Sequence, residues 1–227
     1  MSFSIIKKIY SNLWILRSLP KTVYFNFHYL PFKQAVKLPI LLYKPHFQEL
    51  KGCIKIESEN IRRGMICLGV YDVNIYPNTG IMLDIRGNIT FKGSCRIGNA
   101  SYFTSNGGSI VFGDNFHATT SLRLINYDYI EFGDNVLVGW DCMICDNDFH
   151  TLSDVATGYD MSVKGPICIG NKVWVANGCS IMKNSSIPSN TIVSSKSLVN
   201  KNMEIPEYSL IAGTPAKLKK QNVRWKI

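Results

Sequence analysis

The sequence predicts a mainly β chain folded as a solenoid, and three observations carry that prediction. From Ile169 to Ile205 an aliphatic residue recurs every six positions, a period that suits neither an α-helix nor a heptad. The same period appears upstream, with breaks, between Ile85 and Ile144. Gly-Asn and Gly-Asp-Asn motifs punctuate the repeats, and both residue types tolerate the positive φ of tight corners. A six-residue period fits one flat side of a three-sided β-coil.

Each repeat places its aliphatic residue in the core and a small residue near the corner. The inward positions are Ile85, Phe91, Ile97 and Phe103, then Phe112, Ala118 and Leu124, then Phe132, Val138 and Ile144, and finally Ile169, Val175, Ile181, Ile187, Val193, Val199 and Ile205. Cys95, Cys142 and Cys179 occupy the small-residue position, which predicts a packing role. Cys142 and Cys145 have the spacing of a redox or metal motif, but no second cysteine pair accompanies them, so packing is favoured here too.

Three segments follow from this pattern. Residues 1–50 form a basic, aromatic-rich extension, residues 51–208 the solenoid with an excursion at 147–168, and residues 209–227 a basic tail. Helical spacing runs from Ser4 to Leu19, and we expect Pro20 to end it. A second mixed stretch, Tyr24 to Tyr43, is broken by Pro31 and Pro39. Two short helices packed on the body or on a sister subunit are expected, with a peripheral membrane contact through residues 1–45 as the alternative.

Charge is concentrated at the two ends of the chain. The 227 residues contain 25 Lys and Arg against 16 Asp and Glu, for a net charge of +9. Residues 1–56 carry +8, residues 57–216 carry −4 and residues 217–227 carry +5. A nucleic-acid binder more often spreads its positive charge over the folded surface, so we expect no nucleic-acid partner. Hydrophobic content of 46% excludes an intrinsically disordered chain.

Several features predict a cytoplasmic chain. The seven cysteines are odd in number and irregularly spaced, which favours reduced thiols. No cleavable signal peptide is recognisable, because Asn12 and Arg17 interrupt the first apolar stretch. No run of 18 apolar residues exists to span a membrane. We therefore expect a cytoplasmic location, with peripheral contact at the inner face of the membrane as the alternative.

Three motifs resemble a known family. They are Asp146-Asn-Asp-Phe-His150 in the excursion, Pro166 to Trp174 after it, and the closing Ala212-Gly-Thr-Pro-Ala-Lys217. Over about Gly52 to Lys220 the chain resembles the hexapeptide-repeat acyltransferases, and specifically the sugar and polysaccharide O-acetyltransferases of the maltose/galactoside type. Thr214 replaces the family's usual Asn. The resemblance implies a left-handed parallel β-helix, a homotrimer with active sites between neighbouring subunits, acetyl-CoA as co-substrate and no metal.

The resemblance also implies the candidate site. His150, the only histidine in the excursion, is the expected catalytic base, since histidine titrates near neutral pH. Acceptor binding or orientation of the base is assigned to Asp148, Asp146, Asp128 and Asn126, although the first two carboxylates would equally cap the loop backbone. Trp174 resembles the tryptophan of the donor channel, and a main-chain N–H near Ala176 and Asn177 would stabilise the oxyanion. The other expected coenzyme A contacts are Ser195, Lys201, Lys217 and Lys220.

These residues predict an acetyl-CoA-dependent O-acetyltransferase. Its acceptor would be a saccharide or lipid-linked glycan in the synthesis of a surface polysaccharide (capsule, O-antigen or exopolysaccharide). The acceptor hydroxyl would attack the thioester directly. Alternatives are an N-acyltransferase on an amino or nucleotide sugar, a serine O-acetyltransferase and a non-catalytic scaffold. A β-helical zinc lyase is disfavoured, because the repeat region has two histidines where that site needs three.

Overall fold

The computed structural model describes the backbone of residues 3–226 and the side chains of residues 16–226. Helix α1 spans Phe3–Tyr29 and helix α2 spans Phe32–Ala35. Short strands follow: β1 Ile40–Leu42, β2 Pro45–Leu50, β3 Cys53–Ile56, β4 Ile66–Val70, β5 Ile81–Ile85, β6 Asn88–Phe91, β7 Cys95–Gly98, β8 Ser101–Ser105, β9 Ser109–Phe112, β10 Phe116–Ala118, β11 Arg123–Asn126, β12 Tyr129–Phe132, β13 Leu137–Val138, β14 Met143–Cys145, β15 Ile167–Ile169, β16 Trp174–Val175, β17 Ser180–Met182, β18 Ser185–Ile187, β19 Ile192–Val193, β20 Leu198–Val199, β21 Leu210–Ala212 and β22 Lys217–Lys220.

Within the described residues these strands form the three sides of a prism. Side 1 runs from β1 through β4, β7, β10, β13, β16 and β19 to β21 and β22, and side 2 runs from β2 through β5, β8, β11, β14 and β17 to β20. Side 3 runs from β3 through β6, β9, β12 and β15 to β18. All pairings are parallel except that of β22 with β21. The predicted solenoid is therefore confirmed, and each of the six coils from β1 to β18 contributes one strand to each side.

The boundaries of the solenoid differ from the expected ones. It begins at Ile40 rather than at residue 51, because β1 and β2 pair in parallel with β4 and β5. It also extends past residue 208, since β21 continues side 1. Between β14 and β15 the irregular excursion covers residues 146–166 instead of 147–168. The first coil lacks a clean six-residue repeat, so periodicity alone did not reveal it.

Pro20 does not end the first helix, contrary to expectation. Helix α1 continues through it to Tyr29, where two short helices were expected. Pro20 costs one main-chain hydrogen bond, and tertiary bonds on both sides of it hold the helix in place. The Asn26 amide bonds both the N–H and the C=O of Ile40, at 3.1 and 2.7 Å. Thr22 and Ser18 accept the N–H groups of Leu42 and Lys44, at 3.2 and 3.0 Å.

These bonds make α1 the cover of the open edge of side 1. An uncovered edge strand would offer unpaired backbone groups to another chain. Packing of the extension on the body is thus observed. The helical spacing between Ser4 and Leu19 rests largely on Ile5, Ile6, Ile9, Leu13 and Trp14, whose side chains lie outside the described residues. Among the helices that the structure does describe, none has the length and apolar character needed to cross a membrane.

The interior confirms the repeat assignment. The inward positions between Ile85 and Val199 are buried, and Phe91, Phe112 and Phe132 stack on side 3 with ring centroids 5.1 and 5.3 Å apart. Cys95, Cys142 and Cys179 are buried, as their corner position predicted, and so is Cys145. Burial of stacked apolar side chains is the main driving force for a fold with so few residues per strand.

The glycines of the Gly-Asp-Asn corners are required by close backbone approach rather than by a positive φ. In the Gly-Asp-Asn motifs Asn115 and Asn135 adopt the positive φ, at 57° and 58°. A Cβ on Gly113 would lie 2.4 Å from the backbone of Gly133 in the next coil, so only glycine allows the coils to stack this closely. The middle Asp134 accepts the N–H of Asp114 at 2.7 Å, which links successive corners.

Candidate active site

The excursion between sides 2 and 3 is a hairpin with a fixed base. Asn147 pairs with Lys164 in antiparallel fashion, and Ser153 pairs with Asp160 further out. Asp148 N–H donates to the Val163 carbonyl at 2.9 Å. The aperiodic sequence predicted a loop, and the structure shows that its two arms bond to each other at the edge of the prism.

Asp146 anchors this hairpin from inside the protein. Its carboxylate is fully buried and accepts hydrogen bonds from Tyr127 N–H at 2.7 Å, Asp128 N–H at 2.9 Å and the Asn126 amide at 2.7 Å. Burial raises the pKa of Asp146, and these three donors oppose that rise. Of the alternatives considered for Asp146, the geometry supports capping of the backbone, here in the preceding coil.

Asn126 and Asp128 belong to the same corner. Asn126 is fully buried; its amide oxygen accepts from Ser105 at 3.0 Å and its nitrogen donates to Asp146 and to the Ser109 carbonyl. This engagement favours a positioning role over direct contact with an acceptor. Asp128 is half-buried.

Asp148 forms an ion pair beside a groove on side 2. Lys183 Nζ lies 2.7 Å from its carboxylate. Both residues line a groove of about 460 Å³ that also includes Met143, Ser180, Met182, Asn184, Leu198 and Asn200. A polar pair against an apolar floor is the composition expected of a pocket for a small ligand.

His150 stands exposed on the first arm of the hairpin, between the pairings at Asn147 and Ser153. Its neighbour Phe149 has a φ of 64°, a conformation that non-glycine residues rarely adopt. Phe149 N–H donates to the Asn147 side chain at 2.5 Å, and its ring meets Tyr127 edge-to-face at 5.5 Å between centroids. These contacts hold the backbone that presents the imidazole.

The residues expected to contact the acetyl donor lie on the corner between sides 1 and 2. This corner is at the opposite edge of side 2 from the hairpin. Ala176 and Asn177 form this corner in one coil and Ser195 in the next, and Ser195 Oγ donates to Asn177 at 2.7 Å. The N–H of Ala176 is engaged with the Val193 carbonyl at 2.8 Å. Of Ala176 and Asn177, the N–H of Asn177 is therefore the candidate to donate a hydrogen bond to the oxyanion.

Trp174 is half-buried on side 1 and meets a residue that sequence reasoning missed. The Trp225 ring lies 6.1 Å from it between centroids, and the Trp225 indole N–H donates to the Lys172 carbonyl at 2.8 Å. The C-terminal tail therefore folds back along the prism. A groove of about 390 Å³ beside it carries three cations, Lys172, Arg224 and Lys226. No repeat pattern extends into the tail, so the sequence offered no signal for this contact.

The three expected lysines are only partly brought together. Lys201 and Lys217 line one groove of about 430 Å³ at the end of the prism. Lys220 lies further along β22, outside that groove, and all three side chains are exposed. Lys183, a partner of Asp148, is a second residue that the sequence analysis missed, because a lone lysine in a turn carries no distinctive signal.

One chain thus holds two separate groups of candidate residues. His150 and its supporting residues occupy the corner between sides 2 and 3, whereas Ala176, Asn177 and Ser195 occupy the corner between sides 1 and 2. Among the described residues no cluster of three or more potential metal ligands occurs, Cys142 and Cys145 included.

Comparison with known proteins gives both sequence relatives and a fold. No protein-family model matches the chain. A Mycobacterium tuberculosis protein named as a probable acetyltransferase is 30% identical over 169 residues, which are 73% of this chain and 53% of that protein. An Escherichia coli protein provisionally named as a lipopolysaccharide biosynthesis O-acetyl transferase, WbbJ, is 27% identical over 178 residues, 65% of this chain and 90% of that protein. The chain therefore spans about half the length of the first relative and most of the second.

The solved structure of the polySia-specific acetyltransferase NeuO is similar in fold, with a TM-score of 0.53 and 17% identity over 81% of this chain and 89% of that one. The fold is the expected left-handed parallel β-helix, and in sequence the chain is similar to proteins named as acetyltransferases.

Proposed function

We propose that the chain transfers an acetyl group from acetyl-CoA to a hydroxyl of a saccharide during assembly of a surface polysaccharide. Its relatives support this class of reaction by name, among them a galactoside O-acetyltransferase and a polysialic acid O-acetyltransferase of Escherichia coli. The lipopolysaccharide assignment of WbbJ supports a lipid-linked or polymeric glycan as acceptor.

The observation that carries the proposal is the presentation of His150. A histidine that serves as general base must reach a substrate proton while its backbone stays in place. His150 is exposed, and the hairpin that bears it is anchored through the buried carboxylate of Asp146. A histidine that only packed the structure would be buried among the repeats.

The proposed reaction is a single displacement. The His150 imidazole takes the proton of the acceptor hydroxyl, whose oxygen attacks the thioester carbonyl carbon. The Asn177 N–H stabilises the resulting oxyanion. The C–S bond then breaks, and the coenzyme A thiolate leaves with the proton returned by the imidazolium. The products are an acetyl ester and free coenzyme A, and no acyl-enzyme forms.

The active site we propose is shared between neighbouring subunits of a homotrimer. His150 and the candidate donor residues Ala176, Asn177 and Ser195 lie on different corners of the prism. A neighbour that brings its corner of Asn177 against the hairpin would complete the site, and a cyclic trimer repeats this contact three times.

The test is acetyl transfer to a panel of glycans and glycolipids, followed as coenzyme A thiol release and as acetylated product by mass spectrometry. An O-acetyl ester is lost on treatment with hydroxylamine, whereas an amide survives, so the same product separates O-transfer from N-transfer. Absence of acetyl-CoA binding by calorimetry would instead favour a non-catalytic scaffold.

A further inference from the structure

The first helix is fixed to the prism by one face and presents an apolar stripe on another. Ser18, Thr22 and Asn26 are buried and hold the edge of side 1. Leu16, Val23 and Phe27 are spaced by seven and four residues, which places them on one stripe of the helix, and they are exposed by 61, 37 and 45%. Because the buried face is bonded to β1, the helix has little freedom to rotate the stripe inward.

Helix α2 extends this stripe into a patch. Phe32 is 72% and Val36 51% exposed, and the Phe32 ring lies 5.9 Å from that of Phe27 between centroids. Tyr24 adds a further exposed aromatic ring on α1. We call Leu16, Val23, Tyr24, Phe27, Phe32 and Val36 the N-terminal patch. Clustered exposed apolar side chains of this size mark an interaction surface.

The segment that carries the N-terminal patch is rich in positive charge and contains no acid. Residues 1–48 contain seven Lys or Arg and no Asp or Glu. Lys33 and Lys37 lie beside Phe32 and Val36 and are exposed. In the sequence, Ile9 and Leu13 continue the spacing of the stripe toward Lys7 and Lys8. Aromatic and aliphatic residues flanked by lysines are the composition of helices that lie in the interface of an anionic bilayer.

We propose that the N-terminal patch rests on the surface of an anionic lipid bilayer, with Phe27 and Phe32 inserted at the headgroup boundary. Charge decides between a bilayer and a second copy of the chain. Packing two copies patch against patch would bring like charges together, since residues 1–48 hold no acid to neutralise them. An anionic headgroup layer supplies the opposite charge. This proposal does not depend on the proposed acetyl transfer.

The test is co-sedimentation of the full chain with vesicles of phosphatidylglycerol and phosphatidylcholine, against vesicles of phosphatidylcholine alone. We expect binding to the anionic vesicles that weakens as salt is raised. Lys33→Glu with Lys37→Glu should weaken it at least about tenfold, since each cation near the surface contributes about fivefold. Phe27→Ser with Phe32→Ser should weaken it similarly through lost apolar contact.

Two control variants make the same kinds of substitution outside the N-terminal patch. Lys219→Glu with Lys226→Glu reverses two charges at the C-terminal end, where β22 lies at the opposite edge of side 1 from β1. Ile75→Ser with Val155→Ser removes two exposed apolar side chains outside the patch. Both control pairs should sediment with anionic vesicles almost as the unchanged chain does.

Three results would overturn the proposal. The first is absence of sedimentation with anionic vesicles at low salt. The second is loss of sedimentation to the same degree in the control pairs. The third is a change of oligomeric state in Phe27→Ser with Phe32→Ser, measured by analytical ultracentrifugation without lipid, because that would identify a second copy as the partner.

Discussion

Asn126 and Asp146 lie twenty residues apart in the chain, and a 2.7 Å hydrogen bond joins their buried side chains. The same carboxylate accepts the N–H groups of Tyr127 and Asp128. Asp146, at the base of the excursion, therefore accepts hydrogen bonds from three groups at one corner of the preceding coil. This arrangement ties the position of the His150 hairpin to the rigid part of the prism.

Asp146→Asn should destabilise the fold by about 1–3 kcal/mol, because an amide nitrogen would face N–H donors inside the protein. Urea unfolding measures this change. The control is Asp154→Asn in the same hairpin, whose carboxylate caps an exposed turn through the N–H groups of Ala156 and Thr157. Asp154→Asn should lower the free energy of unfolding clearly less than Asp146→Asn does. Equal losses in the two variants would contradict the anchoring role of Asp146.

His150→Ala should lower kcat by about 10² to 10⁴ while leaving the unfolding free energy almost unchanged, since an exposed general base contributes to rate and not to packing. Steady-state coenzyme A release is the measurement. His46→Asn is the matched control, because His46 is also exposed but bonds the Thr79 carbonyl far from the hairpin. Wild-type turnover in His150→Ala would exclude His150 as the base.

Complementation tests the shared site. His150→Ala and Trp174→Ala chains should each be weakly active alone, yet trimers reassembled from an equal mixture should regain about a quarter of wild-type activity. In a mixed trimer, some sites combine His150 from a Trp174→Ala chain with Trp174 from a neighbouring His150→Ala chain, and these sites are intact. If the mixture stays as inactive as its components, each site is built from a single chain.

Asp72 should make stability depend on acid pH. Burial alone would raise the pKa of Asp72, but the hydrogen bonds and positive charge of Arg96 lower it well below its usual range. The folded state therefore binds this proton less readily than the unfolded state. Its stabilisation is present above the ordinary carboxyl pKa of about 4 and is lost as pH falls below it.

Asp72→Asn should consequently flatten the fall in unfolding free energy between about pH 5 and pH 3, as measured by urea titrations. Glu59→Gln, an exposed change of the same kind, serves as the control. An unchanged slope in Asp72→Asn would show that other carboxylates govern acid stability.

Asn26→Ala should lower the unfolding free energy by about 1–3 kcal/mol, because both main-chain groups of Ile40 lose a buried partner. Equilibrium unfolding and light scattering are the measurements, since a bared strand edge also promotes association. Val23→Ala on the exposed side of the helix is the control. Equal stability of the two variants would argue against a covering role for α1.

The local sequence pattern predicted the interior positions of this protein but not the structure of its two ends. The six-residue period identified inward positions such as Phe112 and Ile181 because each strand repeats the same choice of face. Pro20 misled the prediction, since its local preference to end a helix is outweighed by bonds from Ser18, Thr22 and Asn26 to a strand that follows later. Propensity is a weak prior wherever tertiary bonds are available.

By itself, then, the sequence determined the repeating coil, the packing cysteines and the single histidine of the excursion, because these depend on period and residue type. The tertiary structure alone decided that Asp146 faces inward, that Lys183 pairs with Asp148, that Trp225 returns to Trp174 and that the donor corner lies apart from His150. Those relations join residues that are distant in the chain, and only the stacking of coils sets the distances between them.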